Sequence, residues 1–410
     1  MTSRWSCRGW SAFGDGVGRC VALAALVLGI ACTSGARAAP ITVGAVVSQS
    51  GDLALPARGL REALLLWQHQ VNAAGGLLGR RVELLLLDDH SEAERDGRLY
   101  AQLIERDHAE LLIGPFGSAA TLMAAAAADQ RGRVLVNATG IADQLRKVDY
   151  HYVFQVPAPL PSYATGALTI AKDAGYRRVF LVARDDPTAR AIAGHARAAA
   201  LALGLEPSQV ELVKGGATDY SVAIRHARKL GAQAWIAFGQ PADAAATVIA
   251  LQRAGYAPKM FVAQGVANER FITLVGQAAE DAMGIAPYAT TFPTRGNARF
   301  VRAYRKRWGR PPGLIAAEGF AAAEVLGDAV RRAGSLDQDA LRAALLALHT
   351  ETPLGPYAVD RKGWQVAAKP AVVQIREGRR EIVWPRQWAR VTWRLPYPPW
   401  SGRKLIGPGS

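Results

Sequence analysis

The chain has 410 residues, half of them hydrophobic, and a formal net charge of +15. That balance excludes a disordered or fibrous chain, and the length exceeds the roughly 250–300 residues that one core organises, so two lobes are expected. The basic residues are spread along helical patterns such as RHARK and RAYRKRW without an RNA- or DNA-binding motif, which predicts a solvated basic surface and no nucleic-acid partner.

At the amino terminus Arg4, Arg8 and Arg19 precede the apolar run VALAALVLGIAC (21–32), and Ala36-Arg37-Ala38 supplies the small residues that a signal peptidase reads. Residues 1–38 are therefore expected to be a cleavable secretory signal. The apolar run falls short of the ~20 residues needed to span a bilayer as a helix. A lipid-modified Cys32 is the competing reading, but Gly29 stands where such sites carry a bulky aliphatic residue. Cys7, Cys20 and Cys32 all lie in this segment, so the exported protein should hold no disulfide.

From Ile41 onward short aliphatic runs alternate with longer amphipathic ones. Strands are predicted at 41–47, 81–88, 109–114, 133–137, 177–183, 210–213, 234–239 and 259–264, with helical runs such as LREALLLWQHQVNAA, SYATGALTIAKDAG and DAAATVIALQRAG between them. Such alternation means βαβ units, and the fold class is α/β with doubly wound parallel sheets. Within NAAGGLLGRRVELLLLDD (72–89), Asn72 to Ala74 close a helix and Gly75 and Gly76 supply its positive-φ cap. Gly79 makes the tight turn, the strand 82–87 lies beside 41–47, and Asp88 and Asp89 end it.

Ligand crevices open at the carboxyl edge of a parallel sheet, so the strand ends carry the candidate chemistry. After Ile113 the chain reads GPFGSAAT, where Ser118 is placed to cap an Ala-rich helix and leave backbone N–H groups free for a carboxylate. NATG (137–140) follows Val136, and AQGVANERF follows Val262, with Asn268 as a helix cap. A structural cap alone would explain any one of these turns.

Taken in order, ITVGAVVSQSG, the 72–89 segment, LLIGPFGSAAT, VLVNATG, FVAQGVAN and LGPYAVDRKG resemble the leucine/isoleucine/valine-binding proteins of ABC transporters, the type I periplasmic binding family, from Ile41 to about Val383. The resemblance implies two α/β lobes joined by three hinge crossings, near 155–162, 285–292 and 352–357, that close on a ligand. Lobe one would take 39–157 and 289–353 and lobe two 158–288 and 354–385, leaving 386–410 as a basic Trp/Pro-rich tail.

It also implies that Ser118, Ala138 and Thr139, flanked by Phe116, Gly117 and Asn137, hold a ligand's α-carboxylate and part of its ammonium, and that Thr188, Phe238, Gln240 and Gln264 close over it from lobe two. Several positions depart from the family pattern. Gln264 stands where an acid usually binds the ligand ammonium, Thr188 replaces a tyrosine, Pro56 an aromatic, and the lobe-one cysteine pair is absent. An amide lacks the charge that makes a buried ammonium pair strong, which favours an acid without an amine; Asp185 and Asp186 are the alternative source of charge. The implied function is a monomeric periplasmic solute-binding component of an ABC importer, handing a small carboxylate-bearing ligand to a membrane permease without cofactor or metal. A ligand-sensing receptor subunit of the same fold and a secreted hydrolase are the alternatives.

No GxSxG, HExxH, P-loop, GxGxxG or CxxC occurs after residue 38, so no catalytic residue is assigned. Asp88-Asp89-His90 reads as a polar strand end, because neighbouring strand residues alternate faces and do not converge on a metal. His195, His226 and His349 sit singly on helical patterns and read as helix-face residues. In the tail, tryptophans interleave with arginines; the reading adopted is a last strand pair followed by an extended arm that packs its tryptophans on a lobe, with membrane or nucleic-acid stacking as the rivals.

Overall fold

The computed structural model describes residues 39–401. The expected signal with its cysteines, and Arg403 and Lys404 of the tail, lie outside the described residues. The first sheet is built from β1 (Ile41–Val46), β2 (Val82–Leu87), β3 (Leu111–Ile113), β4 (Leu135–Asn137) and β5 (Val153–Gln155), in the order β2-β1-β3-β4-β5 and parallel throughout. Its strands are aliphatic because helices cover both faces. The connecting helices are α1 (Ala54–Ala73), α2 (Asp96–Glu105), α3 (Ser118–Asp129) and the short α4 (Asp143–Lys147).

The chain then builds a second lobe from α5 (Thr165–Asp173), β6 (Arg178–Arg184), α6 (Pro187–Ala202), β7 (Glu206–Val213), α7 (Ser221–Leu230), β8 (Ala234–Phe238), α8 (Pro241–Arg253), β9 (Met260–Ala263), α9 (Glu269–Val275) and β10 (Met283–Ala286). It returns to the first lobe as α10 (Asn297–Trp308), α11 (Leu314–Ala333), α12 (Gln338–Leu346) and the hairpin β11 (Thr350–Thr352) and β12 (Gly355–Tyr357). It ends in the second with β13 (Ala371–Arg376) and β14 (Arg379–Trp384). The second sheet has the order β14-β13-β10-β9-β8-β6-β7, parallel from β7 to β10, with β13 and β14 added as an antiparallel edge.

The parallel parts of the two sheets therefore wind identically, each with its first strand flanked by its second and third. In such sheets the crevice lies where the winding reverses direction, here at the carboxyl ends of β1 and β3 and of β6 and β8. The first core lies between the sheet and α1, α10 and α11, around Leu64, Trp67, Phe300, Phe320 and Leu326. Gly319 lets α11 lie close on α1: a methyl group there would sit 2.7 Å from Leu60 Cδ1 and 3.3 Å from Leu60 Cα, so Leu60 would have to give way.

Three passages join the lobes. The first leaves β5 at Gln155 and the second follows β10. The third lies further along than 352–357. Leu354 and Tyr357 belong to the first core, the Gln155 amide donates to Gly363 O (2.9 Å), and Trp364 packs with Val153, so the chain leaves this lobe only at 365–370. The stretch 352–357, expected as a crossing, instead contains the returning strand of a hairpin laid on the first lobe. Gln365 then pins two passages together: its side-chain amide donates to Val156 O (3.2 Å) and its carbonyl accepts from the amides of Ala367 (2.9 Å) and Ala368 (3.2 Å).

The tail packs on the protein, as the adopted reading expects. Trp388 packs tilted against Phe292 with ring centroids 5.0 Å apart and covers Gly355, while Trp384 fills the space above Gly166. Tyr397 and Trp400 are buried in the second lobe beside Phe261, and the Trp400 Nε1 donates to Tyr256 O (2.8 Å). Those rings are spent on the fold and are not available to a membrane or a nucleic acid.

Candidate ligand cleft

The turn after β3 departs from the expected cap. Gly117, at φ 87°, precedes α3, no side chain caps that helix, and Ser118 is its first residue. The Ser118 hydroxyl instead reaches the loop after β4, where Oγ accepts from the amides of Ile141 (3.1 Å) and Ala142 (3.2 Å). A hydroxyl has two lone pairs and one hydrogen, so with both acceptor sites taken Ser118 is left as a donor. That donor stands beside the free N–H groups of an uncapped helix start.

Thr139 is placed differently from its expected role. Its Oγ1 accepts from the Gly117 amide (2.7 Å) and donates to Pro115 O (2.9 Å), so the side chain locks the β3 and β4 turns together and has no donor to spare. Asn137, fully buried, closes its own turn by exchanging hydrogen bonds of 2.8 Å with Gly140. Ala138 is buried, and Phe116 packs half-buried on the first core. The structure thus brings Phe116, Gly117, Ser118, Asn137, Ala138 and Thr139 into one platform, with Ser118 and backbone amides as its polar face.

On the second lobe the β8 and β9 turns touch. A methyl on Gly265 would lie 2.5 Å from Gln240 O and 2.7 Å from Pro241 Cα, and this close backbone approach sets Gln264 beside Gln240. The Gln240 amide is held by Asp243 Oδ2 (2.9 Å). Phe238 is buried in the lobe's core, so its ring supports the turn from below. Thr188 is exposed in the first turn of α6, a helix capped by Asp186 Oδ1 accepting from the Ala189 amide (2.9 Å). Asp185 and Asp186 do not replace the missing acid: Asp185 pairs with Arg190, and Asp186 with Arg184 (3.2 Å).

The two edges meet. Ile141, whose amide Ser118 holds, packs on the second-lobe core, and Asp143 on α4 pairs with His195 Nε2 on α6 at 2.7 Å. His195 is therefore a contact between lobes, not a plain helix-face residue. Sequence reading also missed Glu318. α11 runs alongside α1 with Ala316 at Gly59, Gly319 at Leu60 and Gly327 at Trp67, so its start lies at the same carboxyl edge as the start of α1. There Glu318 is 4% exposed with no hydrogen bond or ion pair among the described residues, and burial holds its carboxyl well above the ordinary range. It faces Tyr163 of the second lobe, whose hydroxyl is pushed upward by its own burial and then by Glu318. The signal was a lone acid in the apolar run GLIAAEGFAAA.

Asp88 and Asp89 answer for the strand end they close. Burial tends to raise Asp88, but the amides of Gln49 and His90 and the hydroxyl and amide of Ser50 outweigh it and hold it at about 2. Asp89 accepts from the Ser48 hydroxyl (3.0 Å). Behind it Asp96 is fully buried with neither oxygen hydrogen-bonded; burial first, then the Asp89 charge, push it up to about 8. Among the described residues no cluster of His, Cys, Asp and Glu is arranged to hold a metal. A cavity of about 590 Å³ lies elsewhere, in the first lobe between α1, α11 and the loop before α10, lined by Arg295, Arg299, Arg331, Glu324 and Asp328.

Two like-wound sheets whose carboxyl edges face each other across three passages define a two-lobed solute-binding fold. A profile of the periplasmic binding protein family matches residues 40–380, and the chain belongs to that family. A leucine-, isoleucine-, valine-, threonine- and alanine-binding protein of Pseudomonas aeruginosa is 22% identical over 329 residues, 80% of this chain and 86% of its own length. Among solved structures, a branched-chain amino acid transporter substrate-binding protein of Streptococcus pneumoniae in complex with isoleucine superposes with TM-score 0.65 at 21% identity, over 84% of this chain and 99% of that one. An R. palustris ABC transporter solute-binding protein in complex with benzoate gives TM-score 0.64 at 18% identity, over 84% and 95%.

Proposed function

We propose that this protein is the periplasmic solute-binding component of an ABC importer, taking a small carboxylic acid between its lobes and presenting the closed form to a membrane permease. The observation that carries the reading is Ser118, a hydroxyl stripped of its acceptor capacity and left to donate beside an uncapped helix start. A carboxylate accepts such donors without bringing a proton of its own. Isoleucine and benzoate, bound by the two structural relatives, share that one group and differ at the other end. This chain keeps the donors for the shared end and carries Gln264, an amide, where an ammonium would want a charge. No bond is made or broken; export through residues 1–38 and a monomeric state complete the reading.

A thermal-shift screen tests it, with branched-chain amino acids, their keto and hydroxy acids, benzoates and amides. Ligand at a hundred times its dissociation constant adds about 2.7 kcal/mol to the folded state, visible as a raised midpoint. Deaminated acids should outperform the matching amino acids. A larger shift with leucine than with its keto or hydroxy acid rejects the role given to Gln264, and no shift with any carboxylate rejects the ligand class.

A further inference from the structure

The segment Arg295 to Arg310, RGNARFVRAYRKRWGR, contains seven basic residues and no acid. Most of it forms α10, whose Phe300, Val301 and Tyr304 are buried against the first core. Arg295, Arg299, Arg302 and Lys306 recur at helical spacing on the opposite side, with Arg305 and Arg307 flanking them, and all six are exposed. None of the six forms an ion pair among the described residues. At the start of the helix Arg295 and Arg299 share the large cavity with Glu324 and Asp328, but beyond that turn Arg302, Arg305 and Lys306 are exposed with no acid paired to them among the described residues, and Arg307 lies over the Trp308 ring, 5.2 Å from its centroid. Glu62, the acid that touches this helix, is buried and already taken by Tyr304, Arg310 and Arg58.

Holding like charges this close costs free energy, since same-sign neighbours three and four residues apart on a helix repel. An opposing layer of negative charge relieves it. Protein interfaces are built around an apolar or aromatic centre, whereas this row of long cationic side chains has none between its charges. A plane of mobile phosphate headgroups suits such a row, each basic residue near an anionic bilayer adding about fivefold to binding. We propose that the exposed face of α10 is a docking surface for the anionic phospholipid headgroups of a membrane, holding the protein at the surface where a permease would receive its ligand.

The test uses the full chain and sedimentation with vesicles of phosphatidylcholine alone or with about a third phosphatidylglycerol. The quantity read is the difference between the two, compared among variants that share the same amino-terminal segment and so the same contribution from its arginines. Two triple variants change net charge by the same amount: Arg302→Glu/Arg305→Glu/Lys306→Glu on α10, and Lys172→Glu/Arg225→Glu/Lys229→Glu, all exposed, on the second lobe. A third, Arg302→Gln/Arg305→Gln/Lys306→Gln, serves if the reversal disturbs folding, which the thermal midpoint reports. The anionic-lipid increment should fall roughly a hundredfold in the α10 variants and stay within about threefold in the second-lobe variant, and salt should abolish it in the unmodified protein. Equal losses in both lobes would reduce the effect to net charge and overturn the proposal. Absence of any increment would do the same, and so would capture by immobilised polyglutamate without binding to the anionic vesicles, which assigns the face to an acidic protein. Because solute binding is measured separately, failure here leaves the proposed function standing, and failure of that function leaves this result readable.

Discussion

Replacing Ser118 with alanine removes two things at once, and the structure separates their sizes. Lost first is the donor offered to a ligand carboxylate. A hydrogen bond to a charged partner contributes about 1.5–3 kcal/mol, so affinity should fall roughly tenfold to a hundred-and-fifty-fold. Lost second is the acceptor for the Ile141 and Ala142 amides at 3.1 and 3.2 Å. That site is only half-buried and water can substitute, so the unliganded protein should lose about 1–2 kcal/mol, a few degrees in midpoint. Calorimetric titration with the best acid from the screen measures the first effect, and melting of the empty protein the second. The affinity loss should be alike for an aliphatic and an aromatic acid, because only the shared carboxylate is involved. A variant that melts lower yet binds within twofold of the parent would show that Ser118 merely fastens the loop, and the carboxylate reading of the cleft would fall with it.

The other predictions concern the frame around the site. Thr139→Val should destabilise by about 2–4 kcal/mol in urea denaturation, since Pro115 O and the Gly117 amide both lose their partner; an unchanged midpoint would contradict the bonding described. Asp96 binds its proton more tightly folded than unfolded. Its contribution is therefore full below the ordinary carboxylate value of 3.8 and disappears as the pH rises through about 8, a loss of roughly a few kcal/mol. Asp96→Asn should flatten the stability profile between about pH 4 and 8, and an identical slope in the variant would refute the assignment. Asp88 acts in the opposite sense: its contribution is present above 3.8 and is lost as the pH falls towards 2.

How much of this could be read beforehand depended on whether the information was local. The strands at 41–47, 81–88 and 234–239 were legible because a sheet covered on both faces demands an unbroken aliphatic run, and the helices between them show their period openly. β5 and β10 were not, since YHYVFQ and MGIA owe their conformation to the neighbours they pair with. The third passage, placed at 352–357 by resemblance, was misplaced for a similar reason: Gly355 to Tyr357 form a strand only by pairing with Thr350 to Thr352. At the site the residue types were readable but their duties were not. Nothing in GPFGSAAT says that the Ser118 hydroxyl will be claimed by a loop more than twenty positions away, or that Thr139 will spend both ends of its hydroxyl on the turn before it. Glu318 stayed hidden because a helix periodicity does not reveal which of its faces meets a second lobe.

The C-terminal arm sets where this molecule can be cut. The family profile stops at 380, yet Tyr397 and Trp400 complete the apolar interior around Phe261, and Trp388 roofs Phe292. A shortened version ending at the profile boundary would lay Phe261 and Phe292 open to water and invite self-association. Fusion partners and affinity handles belong beyond the arm, because the second lobe is finished by the residues from Trp388 to Trp400 and not by its sheet alone.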